Sequence, residues 1–179
     1  MKKLLLIVFP LLLIVGCSKP ISEETLIDKD GLKYHPETKE LYSGEVFQNR
    51  MDGGKEFEGS YMDGLKNGLW TGWYENGNKR SEKTFKDGTL DGLYTSWYDN
   101  GQKETKGSFK DKFPDGLYTV WYKNGQKAIS GYFESGEPVD IWAWWDQTGK
   151  ILKKQKYPPK ANGITKHHKQ YTDKIDVYN

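Results

Sequence analysis

The feature that most constrains this chain is a fixed interval. Trp73, Trp97, Trp121 and Trp145 stand 24 residues apart, and Tyr61, Phe85, Phe109 and Phe133 keep the same spacing. Trp70, Tyr94, Tyr118 and Trp142 follow it too, as do Gly77, Gly101, Gly125 and Gly149. Four ladders with no insertion between rungs mean one unit copied in tandem. A unit this short cannot bury a core alone, so successive copies must stack. An imperfect earlier copy is visible where Gly44, Asp52-Gly53 and Lys55 precede Gly68, Asn76-Gly77 and Lys79 by the same interval. The regular repeats therefore run over about 42–151.

Each unit reads aromatic-x-Asp-Gly-x-x-x-Gly-x-aromatic-x-x-Trp-Tyr-x-Asn-Gly-x-Lys. Asn76-Gly77, Asn100-Gly101 and Asn124-Gly125 are expected to form two-residue type I′ hairpin turns, because Asn and Gly tolerate φ > 0. A second turn is expected at Asp63-Gly64, Asp87-Gly88 and Asp115-Gly116. The segments between are rich in Tyr, Trp and Thr, the residues of half-buried strands. The fold class that follows is all-β: a single-layer antiparallel meander, or solenoid, of hairpin repeats. Composition agrees. At 35% hydrophobic the chain is too polar for a membrane-spanning bundle, while 7 Trp, 12 Tyr and 7 Phe set it apart from disordered sequences.

A register can be written from the turns. About Asn100-Gly101, Tyr98 faces Lys103, Tyr94 faces Gly107 and Gly92 faces Phe109. About Asn124-Gly125, Tyr122 faces Lys127, Tyr118 faces Gly131 and Gly116 faces Phe133. Rings are thus expected over bare glycine backbone. One face collects Phe85, Tyr94, Tyr98 and Phe109 as a core strip. The other carries Leu69, Leu93 and Leu117, polar residues such as Thr71, Thr95, Glu82 and Lys106, and a ridge of Trp73, Trp97, Trp121 and Trp145. That ridge is either a binding strip, since Trp dominates interface hot spots, or a staple between hairpins.

The unit resembles the MORN repeat (membrane occupation and recognition nexus). It looks closer to the bacterial MORN variant carrying Trp-Tyr-x-Asn-Gly, found in proteins named as the YwqK-type antitoxin family. Gly68 to Gly77, Gly92 to Gly101 and Gly116 to Gly125 carry the match. In the last unit Asp140, Asp146 and Thr148 replace the glycine, tyrosine and asparagine, as suits a terminal cap. The resemblance implies interaction and not catalysis: a scaffold, a protein binder or an antitoxin. The unit is also faintly similar to choline-binding repeats, which leaves a glycan or choline-type ligand binder as the alternative.

The first residues read as an address. Lys2 and Lys3 precede an apolar run from Leu4 to Val15, too short to span about 30 Å of hydrocarbon. Leu13-Ile14-Val15-Gly16-Cys17 resembles the bacterial lipoprotein signal, which implies cleavage after Gly16 and a diacylglycerol on Cys17, the sole cysteine. An ordinary secretory signal is the alternative. The expected organisation is a signal at 1–16, a lipidated cysteine and tether at 17–30, a repeat domain at 31–156 and a C-terminal cap or tail at 157–179. An envelope location follows from the resemblance, at the outer membrane if the cell has two, because Ser18 is not Asp.

Other chemistry is not patterned. Removing Lys2 and Lys3 leaves 25 basic against 25 acidic residues, so no basic field exists for nucleic acid. His35, His167 and His168 make no metal-ligand spacing, and no Gly-x-Ser-x-Gly or Gly-x-Gly-x-x-Gly is present. Asp63, Asp87, Asp91 and Asp115 read as turn formers, and Glu82 with Glu104 is not a repeated acid/base pair. No cofactor, metal or catalytic residue is expected. The expected partners are a membrane, through Cys17, and a protein of unknown identity.

Overall fold

The computed structural model describes residues 19–159, so Cys17, the signal and the residues from 160 onward lie outside the described part. The strands are β1 (Ile21–Ser22), β2 (Ile27–Lys29), β3 (Leu32–Tyr34), β4 (Gly44–Asn49), β5 (Lys55–Met62), β6 (Leu65–Trp73) and β7 (Lys79–Lys86). They continue as β8 (Thr89–Trp97), β9 (Lys103–Lys110), β10 (Phe113–Pro114), β11 (Gly116–Trp121), β12 (Lys127–Glu134), β13 (Glu137–Trp145) and β14 (Ile151–Tyr157). From β4 to β14 consecutive strands pair antiparallel in one 12-stranded sheet, with β10 beside β9 and β1 pairing β4 in parallel. The chain is the all-β meander of hairpins that its spacing predicts.

The two kinds of turn exchange the roles the sequence suggests. Asn76, Asn100 and Asn124 do not have positive φ; only the following glycines do, at 83°, 82° and 84°. Gly77 donates to the carbonyl of Tyr74 at 3.0 Å, and Tyr74 to that of Asn78 at 2.8 Å. This is a type I turn closed by a left-handed glycine, and the strand pairing shifts by one there, as between Ser96 and Trp97. Trp97 therefore faces Lys103, and Trp121 faces Lys127, where Tyr98 and Tyr122 were expected. The type I′ turns lie at the other edge. Asp63-Gly64 has φ of 49° and 76°, and Asp87-Gly88 has 49° and 75°. Asp115-Gly116 is not a turn. Its place is taken by Asp111-Lys112 and, one unit on, by Ser135-Gly136, both left-handed throughout. Gly116 instead opens β11 opposite Phe133.

Away from the turns the expected register holds: Tyr94 pairs with Gly107, Gly92 with Phe109 and Tyr118 with Gly131. The ring that covers each glycine comes from the strand on the opposite side, however. A Cβ on Gly107 would lie 2.7 Å from the Tyr118 ring, and one on Gly131 only 2.1 Å from Trp142. Gly59 lies under Trp70 in the same way. A ring laid sideways over the neighbouring hairpin packs adjacent units against each other.

These rings make the inner face. Tyr61, Trp70 and Phe85 meet edge to face, with centroids 5.2 Å and 6.3 Å apart. Tyr94 meets Phe109, Tyr118 meets Phe133, and Phe133 meets Trp142, all at T-shaped angles. The strip is most deeply buried at its two ends: at its start Leu26 and Tyr42 pack with Val46, Tyr61 and Trp70, and at its far end Val139 and Trp142 are buried. The segment expected to be a tether at 17–30 is folded from Ile21 onward. Ile21 and Ser22 pair with β4, and a β2–β3 hairpin turns at Asp30-Gly31. Glu23 ties this cover to the sheet, accepting from the Tyr61 hydroxyl at 3.1 Å and pairing with Lys33 at 2.8 Å. Burial, with Glu23 beside it, pushes the Tyr61 hydroxyl far above its ordinary pKa.

Candidate binding face

The outer face is built in rows because neighbouring hairpins stay in register. Thr71 faces Glu82, Glu82 faces Thr95, Thr95 faces Lys106, Lys106 faces Thr119 and Thr119 faces Ser130. This small polar row runs down the middle. On one side stand Leu69, Leu93 and Leu117, which remain 55%, 62% and 48% exposed. On the other side stands the half-buried ridge of Trp73, Trp97, Trp121 and Trp145. Thr71 and Thr119 are buried between the flanking rows, so the polar row is a floor and the large residues are its banks.

The ridge is furnished with cations. The Lys55 ammonium lies 5.1 Å from the Trp73 ring centre, and Lys79 and Lys127 lie 6.0 Å from Trp97 and Trp145. Lys55 also pairs with Glu58 at 2.8 Å, and Lys79 pairs with Glu82. Each of these lysines sits one unit before the ring it covers. Ile151 holds the lysine position in the last unit, beyond which the described residues contain no further Trp. Where the outer face begins, Glu45, Phe47, Asn49, Lys55, Glu58, Leu69 and Thr71 line a shallow depression of about 650 Å³.

The turn residues singled out by sequence do more than turn. Asn76 Oδ1 accepts from the Asn78 amide at 3.0 Å, while its Nδ2 donates to the carbonyl of Asp99 in the next unit. Asn100 and Asn124 repeat both contacts, reaching Lys123 and Gln147. The preceding tyrosines reach in the same direction. The hydroxyls of Tyr74, Tyr98 and Tyr122 donate to the carbonyls of Trp97, Trp121 and Trp145 at 2.7, 2.7 and 2.8 Å. Tyr98 thus serves as a clamp at the turn edge and not only as part of the core strip. Burial raises its hydroxyl pKa.

This explains the altered last unit. Its turn has Asp146 for the tyrosine and Thr148 for the asparagine, and among the described residues neither reaches forward. Asp146 Oδ1 instead accepts from the Thr148 hydroxyl and from the amides of Thr148 and Lys150, which holds the carboxyl below its ordinary pKa. Asp140 keeps the left-handed backbone of the glycine it replaces, with φ of 60° against 76° at Gly68.

Sequence reading missed a third set of contacts. Asp91 and Asp115 are not turn residues. Their carboxylates accept from the first amide of the following turn, at Asp111 and Ser135, and Ser43 does the same for Asp63. The signal was present: these residues share the common interval, one step out of phase with the turns they serve. Among the described residues no group of three or more His, Cys, Asp or Glu side chains is placed to hold a metal ion, and no helix is long and apolar enough to cross a membrane.

Residues 66–87 and 90–111 match the family model described as the MORN repeat variant. Each match is one hairpin with its clamped turn, β6 to β7 and β8 to β9. The same hairpin recurs at β4–β5, β11–β12 and β13–β14. No curated protein matches the chain.

Proposed function

Since the chain is a MORN-variant repeat protein, we infer that it is a non-catalytic scaffold that binds a protein along its outer face, held at the bacterial envelope by a lipid on Cys17. One observation carries the binding reading. Leu69, Leu93 and Leu117 stay about half exposed in a straight row beside the Trp ridge, at a spacing no folding requirement imposes on solvent-facing leucines. A stiff face with a repeated apolar row suits an extended protein surface, with the tryptophans as anchors. An envelope immunity protein would use such a face in the same way. A choline-type cage is less suited, because Lys55, Lys79 and Lys127 already lie over three of the rings and would repel a second cation.

The test is capture from envelope extract with the full chain, beside Trp73→Ala/Trp97→Ala/Trp121→Ala and Leu69→Ser/Leu93→Ser/Leu117→Ser variants that retain the β-sheet spectrum. A partner held by the native chain and lost by both variants supports the reading. Equal capture by all three sinks it. The anchor is tested separately: a palmitate analogue should label the native chain and not Cys17→Ser, and the unlabelled variant should leave the membrane fraction.

A further inference from the structure

The sheet treats its two ends differently. At the first, β1 pairs with β4 and the segment from Ile21 to Tyr42 folds over the inner face. At the last, β14 pairs only with β13 among the described residues, leaving one side of a seven-residue strand without a neighbour. The charge there is one-sided. Lys150, Lys153, Lys154 and Lys156 lie on or beside β14, with no acidic residue among residues 150–157. The pairing of Lys154 with Ala143 and Lys156 with Ile141 places both lysines on the outer face, while Lys153 lies on the inner face, 5.2 Å from the Trp144 ring centre.

We propose that the free edge of β14 is a docking site for an extended acidic segment of another protein, which adds to the sheet as its next strand. Two features select that occupant. Another repeat unit, from a second copy, is disfavoured: the last turn lacks the Tyr and Asn donors that clamp the three hairpins before it, and a second β14 would bring like charges face to face. An acidic strand meets the opposite conditions. Backbone pairing supplies the affinity, and carboxylates at alternate positions, which share one face of the added strand, meet Lys154 and Lys156 on the outer face. This site is separate from the Leu and Trp rows and stands or falls independently of them.

The probe is a seven-residue peptide of alternating valine and glutamate, added to the full chain in detergent, with a valine–lysine peptide and an N-methylated valine–glutamate peptide as controls. Fluorescence anisotropy should show the acidic peptide binding about tenfold more tightly than the basic one at low salt, given opposite-charge cross-strand pairs at Lys154 and Lys156. Amide exchange should slow at Ile151–Tyr157 and nowhere else. The Lys154→Glu/Lys156→Glu chain should reverse the preference. Equal binding by the N-methylated peptide would mean that charge alone is read and no strand is added, which overturns the proposal. So would exchange at β14 that is already slow in the free chain, since the edge would then be covered by residues 160–179 or by a second copy.

Discussion

The two edges of the sheet, where the hairpins turn, are held by different means. At the Asp63, Asp87, Asp111 and Ser135 edge, backbone bonds to backbone across units at every turn, the amides of Gly64, Gly88, Lys112 and Gly136 donating to the carbonyls of Tyr42, Lys66, Leu90 and Pro114 at 2.8–2.9 Å, with Ser43, Asp91 and Asp115 adding a side-chain acceptor at three of the four. At the Asn-Gly edge, side chains do the joining, with Tyr hydroxyls and Asn amides reaching the next turn. The difference accounts for how the copies vary within this chain. The Asp-Gly pair drifts to Asp111-Lys112 and Ser135-Gly136, because any residue offers a backbone amide. The Tyr-x-Asn-Gly sequence recurs unchanged at three successive turns and is replaced only at the first and last turns of this edge, by Arg50-Met51-Asp52-Gly53 and Asp146-Gln147-Thr148-Gly149.

The sharpest way to break this comparison is to remove all three hydroxyls. Tyr74→Phe/Tyr98→Phe/Tyr122→Phe should lose about 3 kcal/mol in urea unfolding, at about 1 kcal/mol per bond for well-separated sites. A loss below about 1 kcal/mol would show that the hydroxyls ride on an edge joined by other means. Asn100→Asp keeps the acceptor for Gln102 but replaces the donor to Lys123 with a carboxylate oxygen facing that carbonyl, so at least about 1 kcal/mol should go by the same measurement. The backbone-joined edge should answer in the opposite direction. Lys112→Gly relieves a left-handed lysine, φ 67°, and should stabilise by about 0.5–1 kcal/mol; a destabilised variant would assign the lysine side chain a role at that edge. The smallest effect belongs to Asp146. Its folded-state pKa is depressed, so its contribution is present above the unfolded value and is lost as pH falls through the folded one. Native chain and Asp146→Asn should differ in thermal midpoint at pH 7 and converge toward pH 2.

Much of this was legible in the residues alone. The interval named the hairpins, their number and their two faces, because a ring every 24 residues admits no other stacking. The turn types were not legible. Asn-Gly supports a type I′ turn as readily as a type I turn with a left-handed glycine, and the pair itself does not decide, since the latter turn also forms at Asp52-Gly53 and Thr148-Gly149. Asp115-Gly116 looked like Asp87-Gly88 because two ladders of Asp-Gly pairs run side by side, and only counting from Asp63 separates them. The covering segment at Ile21–Tyr42 has no repeat to betray it; nothing in the sequence distinguishes Leu26, its buried anchor, from the exposed Ile27 beside it. On the outer face the leucine and tryptophan rows were predicted, while the lysines laid over Trp73, Trp97 and Trp145 from the preceding copies were not.

Every clamp points the same way, from a copy to its successor. Each interior copy therefore carries a plug at one margin and a matching socket at the other, and any two can be joined. Excising or duplicating one interior copy leaves all plugs seated and alters the span by two strands, about 10 Å. The chain is in effect a ruler whose length can be reset by whole increments without redesigning either terminus.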